Sequence, residues 1–62
     1  MSMGLKERFL KVYADVPLSL RSEIIVVLDG EPVSWNAAFL EVSSDSKNSE
    51  KILKKLEEMA II

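Results

Sequence analysis

The chain contains no cysteine and no histidine, so thiol nucleophiles, imidazole acid–base catalysis, disulfide scaffolds and thiolate zinc sites all lie outside its chemistry. Carboxylates, lysines, Tyr13 and serines remain. The acidic grouping best suited to a site is Asp29-Gly30-Glu31, with Glu41 and Asp45 further on. Hard divalent cations take oxygen ligands, but this spacing matches no calcium loop. An Asp-Gly pair between two apolar runs is a hairpin turn signal, because Gly supplies a positive φ cheaply. Two glycines cannot build a phosphate-binding loop, and a 62-residue chain has little volume for a pocket that buries a substrate. The residues point to a protein that is not an enzyme and carries no cofactor or metal.

A second pattern is basic. Lys47, Lys51, Lys54 and Lys55 share one broad face of a C-terminal amphipathic segment, interrupted by Glu50, Glu57 and Glu58. Read as chemistry, the stripe could touch phosphates; read as structure, it is the solvated side of a helix. The formal net charge of −2 favours the second reading, since tight binding to a phosphate backbone usually needs a basic domain. Nucleic acid is therefore the alternative partner. No run of about 18 apolar residues exists, so no membrane partner is expected and a cytoplasmic location follows by default.

The elements that position these residues follow from periodicity. Leu5, Phe9, Val12, Tyr13 and Val16 form one stripe at helical spacing, and Pro17 ends that helix. Ile24-Ile25-Val26-Val27-Leu28 is a run of five apolar residues, four of them β-branched, which suits a strand. With Asp29-Gly30 as the turn, Leu28 faces Glu31, Val27 faces Pro32, Val26 faces Val33, Ile25 faces Ser34 and Ile24 faces Trp35. Pro32 then occupies a position whose missing N–H would point away from the partner strand. This register places Ile24, Val26, Leu28, Val33, Trp35 and Phe39 against the helices, and Ile25, Val27, Ala38, Leu40 and Val42 on the other face.

Residues 37–42 have no intramolecular partner strand in this register. They either pair with another chain or turn helical, as the spacing of Trp35, Ala38, Phe39 and Val42 allows; the extended form is the first expectation. Residues 43–49 contain no apolar side chain and read as a loop with Ser44 or Asp45 as N-cap. The last helix is expected from about Ser46 to Ala60, with Ile52, Leu53, Leu56, Met59 and Ala60 inward. Ile61 and Ile62 should fold back or dock on a neighbour.

The expected fold is a single small α+β domain over residues 1–62, ordered helix–strand–strand–helix, with both helices on one face of a β-hairpin. A chain this short buries only about 60% of its unfolded surface, which raises the expectation of dimerisation. The expected function is that of a protein-interaction or assembly module acting as a homodimer, its candidate interface being Ile25, Val27, Leu40, Val42, Ile61 and Ile62.

Two resemblances accompany that reading. Val33-Ser34, Ala38-Phe39, Val42 and the closing run from Leu53 to Ile62 resemble the helical core of a winged-helix domain. That resemblance implies an all-α helix-turn-helix alternative, and a DNA-binding regulator using Lys47, Lys51, Lys54 and Lys55. It departs from the family pattern at inward Ser49, at Ala60 in place of a glycine, and at Ile62, where a wing should begin. Leu20-Arg21, Glu23-Ile24-Ile25, Asp29-Gly30-Glu31-Pro32 and Trp35-Asn36 resemble a group of short archaeal proteins, which implies a stand-alone domain and transfers no activity.

Overall fold

The computed structural model describes residues 4–62. Helix α1 (Leu5–Asp15) is followed by a short 3-10 turn (Leu18–Leu20), strands β1 (Ile24–Leu28) and β2 (Glu31–Ser34), and helices α2 (Trp35–Ser43) and α3 (Ser49–Glu58). The α+β class and the central hairpin are as expected from the sequence. The all-α alternative is corrected by that hairpin.

Asp29 and Gly30 both have positive φ, 49° and 83°, as a two-residue turn matching the right-handed strand twist requires. Leu28 pairs with Glu31, Val27 with Pro32 and Val26 with Val33, as the turn dictates. The register then slips: Ile24 pairs with Ser34, leaving Ile25 as an extra residue in a bulge. One inserted residue exchanges the faces beyond it. Ile25 is half-buried against the core and Ile24 is exposed, the reverse of the expected assignment.

Residues 37–42 are helical, which corrects the expectation of an over-long second strand. The cause is local. Ser34 ends β2 and is at the same time the N-cap of α2, its hydroxyl accepting a hydrogen bond from the Ala37 N–H at 3.1 Å. Trp35 therefore begins a helix instead of continuing a strand. Ala38 and Val42, one turn apart, become fully buried.

Helices α2 and α3 pack on the hairpin, α2 against β2 and α3 against β1, and α1 lies against both helices. The core consists of Phe9, Val26, Ala38, Val42, Ile52, Leu53 and Leu56. An aromatic group fills the side between α1 and α2: Tyr13 stacks on Phe39 at 4.5 Å between ring centres, and Phe9 lies 6.0 Å from both Tyr13 and Trp35. Two exposed ion pairs, Lys6 with Asp45 and Arg8 with Glu57, tie α1 to the C-terminal half; at the surface each is worth at most about 1 kcal/mol.

α2 and α3 end in the same way. After α2, Asp45 takes φ 52° while its N–H donates to the Val42 carbonyl and the Ser46 N–H to that of Glu41. After α3, Ala60 takes φ 58° while its N–H donates to Glu57 and the Ile61 N–H to Leu56. Both are Schellman endings, in which glycine usually fills the left-handed position. α3 begins at Ser49, with Asn48 at the N-cap making no side-chain capping bond; Ser44 and Asp45 close α2 and do not open α3. Ser49, inward as the sequence indicated, is satisfied by donating to the Ser46 carbonyl at 2.8 Å.

Left-handed φ costs a non-glycine residue about 1–2 kcal/mol. Ala60→Gly is thus expected to stabilise the fold by about 1 kcal/mol, a rise in Tm of roughly 4–8 °C for a chain of this size. Asp45→Gly should gain less, because Asp tolerates this conformation better and its carboxylate holds Lys6. Thermal unfolding of the two variants beside the parent checks the difference.

Candidate interaction surfaces

The expected interface residues separate in the fold. Val42 is fully buried, and Ile25, Ile61 and Ile62 are partly buried against the core, so these four hold the chain itself together. Ile61 and Ile62 fold back as expected, with the Arg8 guanidinium donating to the Ile62 carbonyl at 2.9 Å. Val27 and Leu40 do face solvent. The bulge explains Ile25, and the early start of α2 explains Val42.

Four exposed apolar side chains escaped the sequence reading. Leu18 is 79% exposed, Leu20 45%, Ile24 54% and Met59, which the helical stripe placed inward, 48%, beside Val27 at 56% and Leu40 at 67%. Leu18 and Leu20 sit in the 3-10 turn that follows Pro17, outside any periodic element. Only their isolation between Pro17 and the strand signal could have marked them.

Arg21 positions that segment. Its Nε donates to the Val16 carbonyl at 3.1 Å and its Nη2 to the Tyr13 carbonyl at 3.3 Å, so the side chain closes the C-terminal end of α1. The guanidinium also lies 4.3 Å from the centre of the Tyr13 ring. On the backbone side, the Asn36 N–H donates to Arg21 O at 2.9 Å and the Trp35 N–H to Glu23 O at 3.3 Å. The Tyr13 hydroxyl donates to Asn36 Oδ1 at 3.1 Å. Residues 21–23 are therefore clamped between the end of α1 and the start of α2. Leu18, Leu20 and Ile24 flank that clamp, held in water by a fixed backbone. Leu40 lies one turn beyond Asn36 on α2.

The four lysines are exposed along α3 and the turn before it. Lys51 has Asp29 of the hairpin turn 3.8 Å away, which places an acidic group beside the basic row. Asp29, Glu31 and Glu41 border an open groove of about 310 Å³ shared with Leu28, Val33 and Ile52. No group of three or more His, Cys, Asp or Glu residues able to hold a metal ion occurs among the described residues. No described helix is long and apolar enough to cross a membrane.

Comparison with protein-family models, with curated proteins and with solved structures gives no match to this chain.

Arg21→Ala removes two carbonyl contacts and the cation–π contact together, and is expected to cost about 1–3 kcal/mol. Arg21→Lys keeps the charge without the fork geometry and should recover less than half of that loss. Urea unfolding of both variants measures it.

Proposed function

We propose that this chain is a non-catalytic assembly module that works by pairing with a second copy of itself. The observation that supports this most directly is the exposure of Leu18, Leu20, Ile24 and Val27, four large apolar side chains left substantially in water over residues 18–27. Fully burying one such side chain gains roughly 1.5–3 kcal/mol, and about half of that is still to be won here. Two copies bring two such sets together. The combined gain is similar in size to the cost of association, about 4–15 kcal/mol. Self-association is thus expected to be concentration-dependent, in the micromolar range or weaker. A chain with seven buried core residues among those described also gains proportionally more from a shared surface than a large domain does.

Light scattering over a concentration series is the direct test. A mass rising toward twice 7.0 kDa is expected, and a constant mass of one chain up to millimolar concentration overturns the proposal.

A second reading has one observation in its favour: Lys47, Lys51, Lys54 and Lys55 are all exposed on and just before a helix that follows α2 through a short turn. A DNA-binding regulator built this way would associate with duplex DNA at low ionic strength, lose affinity steeply with salt, and weaken when Lys47, Lys51 and Lys54 become Glu. With Asp29 beside Lys51 and three glutamates in α3, the assembly reading expects no such salt-dependent association. Fluorescence anisotropy with a labelled duplex separates the two.

A further inference from the structure

The two outer edges of the hairpin are not equivalent. In the observed register Val26 and Val33 form one pair, Val27 and Pro32 the next, and Leu28 and Glu31 the pair beside the turn. Bonded and non-bonded pairs alternate along an antiparallel ladder, and the pair flanking a two-residue turn is bonded. Val27 and Pro32 therefore turn their backbone groups outward, away from each other. On β2 that outward position is a proline with no N–H, next to the charge of Glu31. Both are devices that stop an edge from pairing. On β1 the outward position is Val27, which keeps its N–H and C=O. Among the described residues, no hydrogen bond from outside the hairpin reaches β1 between Ile24 and Leu28. The strand Ile24-Ile25-Val26-Val27-Leu28 carries no charge, no proline and no glycine, and two of its side chains are exposed.

We infer that the contact surface between two copies is the outer edge of β1, the strands of the two copies pairing antiparallel with Val27 opposite Val27, so that two hairpins join into one four-stranded sheet. This rests on the assembly reading above and gives it a backbone contact, in which Val27 is the one member of the exposed apolar set that the ladder itself engages. A second copy is the occupant that fits, because a strand paired antiparallel with itself about a twofold axis is self-complementary in both backbone and side chains. Each Val27 donates its N–H to the carbonyl of the other. Val26 of each copy lies opposite Leu28 of the other, on the side facing the helices. No like charges meet, since the paired segment has none. The bulge at Ile25 bends the strand and limits the ladder to the stretch beside the turn. A two-stranded hairpin is marginal in water, and four strands on a helical layer are not.

The test uses the synthetic 62-residue chain with N-methyl-Val27, which keeps the side chain and removes one outward donor that no bond within the monomer uses. Dimerisation should weaken at least about tenfold, as the loss of two cross-chain amide bonds implies, while circular dichroism of the dilute monomer stays unchanged. Val27→Lys, a natural edge-blocking residue on an exposed side chain, should act the same way. In a mixed isotope-labelled sample, the Val26 and Leu28 α-protons should show an interchain nuclear Overhauser effect, and the Val27 amide should gain exchange protection with concentration. A dimer that lacks this proton contact, tolerates N-methyl-Val27 and dissociates on Leu40→Asp overturns the β1 edge and leaves self-assembly standing through α2. A chain that stays monomeric at millimolar concentration overturns both.

Discussion

Ser34 does two jobs that ordinarily fall to different residues. It is the last paired residue of β2 and the residue whose hydroxyl opens α2. Because no linker separates strand from helix, the chain must turn onto the core side of the hairpin at once. That brings Ala38 and Val42 beneath β2 and leaves room beneath β1 for α3. It also fixes how far the hairpin can extend. With Trp35 committed to a helix, β1 outruns its partner, and the bulge at Ile25 absorbs the difference. The side chains available to solvent and to the core in the first half of β1 are set at this junction.

The second organising contact is Arg21. A segment of 3-10 turn with no periodic apolar face has little reason to adopt one shape. Here the guanidinium anchors it to the end of α1, and the backbones of residues 21 and 23 are anchored to the first turn of α2. The stacked rings of Tyr13 and Phe39 complete the joint. Leu18, Leu20 and Ile24 are consequently exposed on a rigid support, and a fixed apolar set loses less entropy on meeting a partner than a mobile one does.

Much of this was legible in the residues. The stripe of α1, the Asp-Gly turn and the first three strand pairs all follow from periodicity, turn chemistry and the missing N–H of Pro32, and Ile61-Ile62 takes the first of the two courses open to it. Two things were not. The switch at Ser34 depends on a cap outcompeting a strand, and local preferences for Trp35 to Val42 are nearly balanced until Ala38 and Val42 find a core to enter. The bulge depends in turn on that switch. A slip of one residue exchanges faces, so the errors at Ile24, Ile25 and Val42 share a single origin. Solvent exposure was partly readable for the same reason: Val27 and Leu40 lie on the face the register turns outward, whereas Leu18 and Leu20 lie where no periodicity speaks.

Pro32 has a bearing on stoichiometry. A hairpin with two open edges adds neighbours at both sides and grows without limit, the geometry of a fibril. A hairpin sealed along one strand by an imino acid can accept a neighbour only on the other, and each acceptance consumes the acceptor. In the pairing proposed above, polymerisation through strand edges would stop after a single step, so one ring closed on one nitrogen would separate a finite particle from an endless one.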